Sequence, residues 1–314
     1  MQRFGFDHYG DSTVFHEIQA PMPQPKSGQV LLKVLGFGLN PYDARLRAGA
    51  YAASRQVKFP VVPGTDVLGQ VVALGAGVSD FAIGDVVMNY RPLGGYSEYV
   101  TASATKLLLK PTALSMLDAT AIPQIGIAAY TLMTMLAQQD KRDLTILGAA
   151  GGVGSILTQL AMARGYRVCA VARPQHRTFL ESLAVPQIAF DPTLLPKTAL
   201  VVDCTTGGAL SDVAMNLVAN GGLVLSLNPL PAATGTYTTQ TLGQFAPVQA
   251  AFNTLATVAR TCGLTVRIAS TLPWSAAGVQ QGHQLLDAGH VAGKLVVMQA
   301  QAVQDAARAN FDQL

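Results

Sequence analysis

The 314 residues are half hydrophobic and only 12% charged, with a formal net charge of +3. That balance excludes a disordered chain, which cannot bury enough apolar surface, and at this length it supports two domains with a sizeable core. No run of Lys and Arg reads as a nucleic-acid or anionic-membrane surface, so neither partner is expected.

In chain order, the first 112 or so residues read as β-rich. Strands are predicted at Val30–Leu35, Thr65–Leu74, Asp85–Met88 and Tyr96–Val100, with glycines 75, 77 and 84 as turn signals. Many short strands with frequent turns suggest a barrel or sandwich module. Near Ser115 the character changes, and apolar strands alternate with helices. The helix Ala119–Leu136 is interrupted by Pro123 and Gly126, and reads as buried, not as a membrane span. Strand Leu144–Leu147 follows, then a glycine-rich turn and a helix running to Arg164 in which Val153, Ile156, Leu157, Leu160 and Ala161 recur at helical spacing. Further strands are predicted at Arg167–Ala172, Ala199–Asp203 and Leu223–Leu227, with helices at Gln175–Leu183 and Ala209–Ala219 between them. This alternation predicts a doubly wound parallel sheet. Residues 231–241 read as a loop, Leu242–Phe245 as an edge strand, Phe252–Arg260 and Ala276–Ala288 as helices, and Lys294–Met298 as a last strand.

The strand, glycine turn and helix around Gly148–Gly154 form the phosphate-binding corner of a dinucleotide fold. The first amides of the helix, with its dipole behind them, face a pyrophosphate. Gly151 allows close approach of the phosphate and Gly154 lets the helix pack on the strand, while Ala149 stands at the first glycine of the pattern. Cofactor choice turns on the end of the next strand. An NAD enzyme usually places Asp or Glu there, about 20 residues on. This chain has Arg173, His176 and Arg177 and no acid, which favours the 2′-phosphate of NADPH. The three cysteines, Cys169, Cys204 and Cys262, are scattered and read as reduced side chains. The first eight residues lack the apolar run of a signal peptide, and a cytoplasmic location is expected.

Several segments together resemble the medium-chain dehydrogenase/reductase superfamily, in its zinc-independent quinone oxidoreductase-like branch. They are Gly38–Asp43, Pro63–Gly69, Gly75–Asp85, Gly94–Val100, Gly148–Gly154 and Gly289–Val296, in the family's order. The resemblance implies a GroES-like β-rich catalytic domain over residues 1–115 and 259–314, with a Rossmann domain over 116–258 inserted in it. It also implies an active cleft between them and a homodimer paired through the last Rossmann strands, here Leu242–Phe245. Zinc-dependent relatives have Cys near Asn40 and Gly-His-Glu where this chain reads Gly64-Thr65-Asp66, so no metal is expected. The family's cofactor contacts fall on Ala149, Gly151, Gly152, Val153, Gly154, Arg173, His176, Arg177, Cys204, Leu227 and Asn228. Asn40 is expected to orient a carboxamide or acceptor oxygen, and Tyr51 to donate a proton or hydrogen bond. Tyr is often found where Phe190 stands, Thr where Ala128 stands and Gly where Asn228 stands. His283 and His290 fall at positions that look structural. The activity implied is NADPH-dependent hydride transfer to a quinone, enone or enal. The alternatives are an enoyl-thioester reductase and a catalytically weak NADPH-binding protein.

Overall fold

The computed structural model describes residues 1–232, 236–289, 291–300 and 302. The chain opens with β1 (Gln2–Gly5), β2 (His16–Gln19) and the long β3 (Gln29–Leu39), followed by a short helix α1 (Pro41–Arg47). Strands β4 (Asp66–Leu74), β5 (Val86–Tyr90), β6 (Tyr99–Ser103) and β7 (Leu107–Leu109) come next, and then helix α2 (Met116–Leu136). The alternating half begins with β8 (Asp143–Leu147), α3 (Gly152–Ala163), β9 (Arg167–Val171), α4 (Arg177–Ser182) and β10 (Gln187–Ala189). It continues through β11 (Thr198–Asp203), α5 (Ser211–Leu217), β12 (Val218–Ser226), β13 (Thr238–Thr241) and α6 (Val248–Cys262). The chain then returns to the β-rich part with β14 (Ile268–Pro273), α7 (Ala276–Ala288) and β15 (Lys294–Met298).

Two compact units result. One comprises residues 1–124 and the chain from residue 268 onward; the other comprises residues 125–267. In the first, a seven-stranded sheet runs β14-β15-β3-β4-β5-β7, with β6 on the other side of β3, and β1 pairs with β2 separately. All pairings in the seven-stranded sheet are antiparallel except β14 with β15. Its core is aromatic: the Phe37 and Tyr96 rings stack at 4.4 Å, and Phe15 lies 4.4 Å from the His283 ring.

The second unit is a six-stranded, all-parallel sheet in the order β10-β9-β8-β11-β12-β13. Counted from β8, this is the Rossmann order 3-2-1-4-5-6, and the reversal between β8 and β11 makes the crevice where such sheets bind ligands. The central strands carry Ile146, Ala170, Val201, Val202, Val224 and Leu225 with essentially no exposure, as strands covered on both faces require. α2 is the one helix among the described residues long and apolar enough to cross a membrane, and most of it is buried in the fold.

The structure differs from the sequence reading at the end of the parallel sheet. The edge strand lies at Thr238–Thr241, within the segment expected to be a loop, and Leu242–Phe245 is not a strand. The reason is that Thr-Thr-Gln-Thr has strand propensity from its β-branched residues but no apolar face, being largely exposed at the sheet edge. β12 also starts earlier than expected, at Val218, through a register irregularity against β11.

Candidate functional site

In the parallel unit, the glycine corner follows β8. Gly148 turns the chain with φ +74°, and its amide and that of Ala149 both donate to Val171 O at 3.0 Å. A side chain at Gly148 would press on the backbone of Cys204 and Thr205 at 3.2 Å, so the turn faces the loop that leaves β11. Gly151 caps α3 in an extended conformation, and Ser155 N–H donates to its carbonyl at 2.9 Å. The preceding amides, of Gly152, Val153 and Gly154, have no partner within the helix, as first-turn amides never do. No acidic residue occupies that first turn. At Gly154 a Cβ would lie 2.3 Å from Gly148 O, so glycine is required for α3 to sit this close to the turn.

Across the crevice, Asp203 closes β11 with its side chain fully buried. Its Oδ1 accepts from the Thr205 N–H (2.8 Å) and hydroxyl (2.5 Å), and its Oδ2 from the Ser211 hydroxyl (2.9 Å). The Cys204 N–H donates to Leu147 O, and burial, with Asp203 beside it, pushes the Cys204 thiol far up. The Leu227 N–H donates to Asp203 O, and Asn228 Nδ2 donates to Thr205 O at 3.1 Å. Asn228 therefore ties the two loops together, with its Cβ 3.4 Å from where a side chain on Gly208 would begin.

Beyond β9 the chain turns through Arg173, His176 and Arg177 into α4. The Arg177 guanidinium lies 4.4 Å from the centre of the Phe190 ring and 3.6 Å from Glu181. His176 is lowered below its ordinary value, first by burial and then by Arg267 and Arg173. Arg267, a residue the sequence reading did not single out, stacks its guanidinium over the Phe179 ring of α4 at 5.3 Å. Two buried nitrogen atoms here, His176 Nδ1 and Arg267 Nη1, have no hydrogen-bond partner among the described residues. A cation cluster with unpaired buried nitrogens fits a phosphate dianion.

In the β-rich unit, Asn40 and Tyr51 have different surroundings. Asn40 is 1% exposed, and its Nδ2 donates to Thr65 Oγ1 (3.0 Å) and Asp66 Oδ2 (2.9 Å), while its Oδ1 accepts from Lys294 Nζ (2.5 Å). Both ends of the Asn40 amide are thus bonded within the chain, and Lys294 and Asp66 fix its orientation. Lys294 Nζ also pairs with Asp66 Oδ2 at 2.8 Å and donates to Leu39 O. Asp66 Oδ1 accepts from the Gln124 N–H at 2.7 Å, a group released from the α2 ladder next to Pro123. A lysine paired with Asp66 and bonded to Asn40 takes up donors a metal would need. Among the described residues no cluster of three His, Cys, Asp or Glu side chains could hold a metal ion.

Tyr51 is half-buried. Its ring lies 5.4 Å from that of Tyr42, whose hydroxyl accepts from Arg55, and its own hydroxyl has no partner among the described residues. Asp43, at the third position of α1, accepts from the Asn40 and Gly64 amides and the Tyr96 hydroxyl. Burial, reinforced by Asp66, raises it to about 7. The Tyr96 hydroxyl is also 3.2 Å from His283 Nε2, and burial lowers His283 to about 3. His283 is a core side chain, while His290 lies outside the described residues. Asp203, Arg267 and Lys294 were missed. For Asp203 the available signal was an acid at the end of an apolar strand; the other two are isolated in sequence from what they contact.

Residues 26–112 match the model of the alcohol dehydrogenase GroES-like domain. A chloroplast envelope quinone oxidoreductase homolog of Arabidopsis thaliana is 30% identical over 256 residues, 76% of this chain and 78% of that protein. The NADPH-dependent alkenal/one oxidoreductase of the Arabidopsis thaliana chloroplast is 30% identical over 72% of this chain and 62% of that protein. Among solved structures, the quinone oxidoreductase from Coxiella burnetii superposes with a TM-score of 0.78 at 27% identity, covering 95% of this chain and 99% of its own.

Proposed function

Because the chain belongs to the medium-chain dehydrogenase/reductase superfamily, in its quinone oxidoreductase-like branch, we propose that it is an NADPH-dependent reductase. Its acceptors are a quinone or the activated C=C bond of an enone or enal, and it needs no metal. The observation that carries this reading is one surface of the parallel unit. A glycine corner built for a pyrophosphate sits on the same sheet as a cationic cluster after β9 that carries unpaired buried nitrogens. The names of the relatives, quinone and alkenal/one oxidoreductases, support the acceptor class.

The residues divide the work. The Gly152–Gly154 amides hold the pyrophosphate, and Arg173, His176 and Arg177 hold the 2′-phosphate. Asp203 fixes the loop from Cys204 to Ser211, and Asn228 braces it from the end of β12, so the nicotinamide edge of the site is set before ligand arrives. Bound there, the reduced nicotinamide supplies a hydride. Tyr51, with a hydroxyl not engaged among the described residues, is the proton donor to the reduced product, with solvent as the other source. Lys294, paired with Asp66, keeps Asn40 in place. An acceptor that is already electrophilic needs no Lewis acid, which suits this donor set.

The test is turnover by metal-stripped protein, with NADPH oxidation followed at 340 nm for a benzoquinone, an enal and a crotonyl thioester. Consumption with the quinone or the enal, unchanged by added zinc, is expected. Turnover of the thioester alone would make the chain an enoyl-thioester reductase, and binding of NADPH without turnover of any acceptor would make it a binding protein.

A further inference from the structure

The residues just after β9 are not the whole cationic cluster. Arg267 comes from the far end of the same unit, about 90 residues later in the chain, after α6. It lies over the Phe179 ring of α4, the helix that the His176 turn opens. Its Nη1 and the Nδ1 of His176 are both buried and both without a partner among the described residues. Phe179 orients the guanidinium by its flat face, and Nη1 is left for a ligand. A buried donor left unpaired is costly, and two of them from different segments call for one polyvalent acceptor. Arg267 and Arg173 both bear on His176, and no carboxylate does.

We propose that Arg267 is a specificity-determining residue of this enzyme, which with His176 grips the 2′-phosphate of NADPH at the turn after β9. The inference rests on the NADPH reading above and adds to it a ligand that the sequence motif does not contain. It also gives α6 and the segment after it a purpose in cofactor choice: they carry the arginine to the end of β9.

The experiment measures binding, so that no acceptor need be known. The full chain, wild type and Arg267→Met, is titrated calorimetrically with NADPH, NADH and 2′,5′-ADP, with Arg173→Ala as the reference. Methionine keeps an unbranched apolar stem against Phe179, and thermal melting verifies that the variant is folded; Arg267→Lys is the second variant. Expected is a loss of about 10- to 100-fold for NADPH and 2′,5′-ADP in Arg267→Met, with NADH within twofold of wild type and Arg267→Lys between the two. Equal losses for NADPH and NADH, or no loss for either, would overturn the proposal. If wild type prefers NADPH and Arg173→Ala alone abolishes that preference, the Arg267 assignment fails and the NADPH reading stands. If wild type binds NADPH and NADH alike, and 2′,5′-ADP no better than 5′-AMP, the NADPH reading fails and Arg267 falls with it.

Discussion

Asp43 and His283 are two titratable groups on opposite sides of one hydroxyl, that of Tyr96, and their effects on stability oppose each other. Asp43 is raised to about 7 by burial and then by Asp66, so between about pH 4 and 7 the fold holds a proton the unfolded chain has lost. Its contribution therefore falls as pH rises through that window. His283 is lowered to about 3 by burial and then by Arg47, so between about pH 3 and 6.5 the fold lacks a proton the unfolded chain carries. Its contribution rises with pH. Across the shared range the slopes offset one another, each up to about 1.4 kcal/mol per pH unit. Urea unfolding at pH 4.5, 5.5 and 6.5 is predicted to separate them. Relative to wild type, Asp43→Asn becomes more favourable as pH rises, and His283→Gln less favourable. Differences that do not vary with pH would contradict the assignment. None of this was legible in the sequence, because Asp43, Tyr96 and His283 meet only through tertiary packing.

At the scale of the element, the corner from β8 through α3 makes two glycines unequal. Ala at 154 would place a methyl 2.3 Å from Gly148 O, against backbone that cannot rotate away. Ala at 151 meets only that same oxygen, at 3.2 Å, with an ordinary φ of −78°. Gly154→Ala is thus predicted to cost about 1–3 kcal/mol of stability and to loosen nucleotide binding with it. Gly151→Ala should melt within a few degrees of wild type and weaken NADPH and NADH alike, since it adds a methyl at the start of α3, beside the amides proposed to hold the pyrophosphate. Melting curves and nucleotide titrations of the two variants decide this; a Gly154→Ala protein as stable as wild type would contradict it. This corner was legible because a fixed spacing of small residues follows from close backbone approach. The edge strand β13 was not, because Thr238–Thr241 lacks the apolar alternation that marks a strand with one buried face. The short α1 starts at a cap that spans only three residues, the Asn40 N–H donating to Asp43 Oδ2 at 3.0 Å.

For the whole molecule, the parallel sheet could be read because apolar strands and helices alternate over residues 125–267, while the order of its strands is visible only in the structure. The β-rich unit could be read as β-rich, but its pairing could not: β14 and β15 return from the far end of the chain to join β3. For the same reason Lys294 and Asn40, 254 positions apart, share one hydrogen bond that no local pattern announces. The resemblance leads us to propose a homodimer paired through the last Rossmann strand, which is β13 at Thr238–Thr241 and not Leu242–Phe245. Sedimentation equilibrium at micromolar concentration should return the mass of two chains, and a single-chain mass would contradict it. The central claim is hydride delivery from NADPH to an electrophilic carbon or quinone, and isotope transfer tests it most directly. With metal-stripped protein, stereospecifically deuterated [4-²H]NADPH and an enal, the account predicts one deuterium at the β-carbon of the saturated product from one of the two labelled faces only. Product that carries no deuterium from either face, or reduction that begins only when zinc is restored, would contradict it.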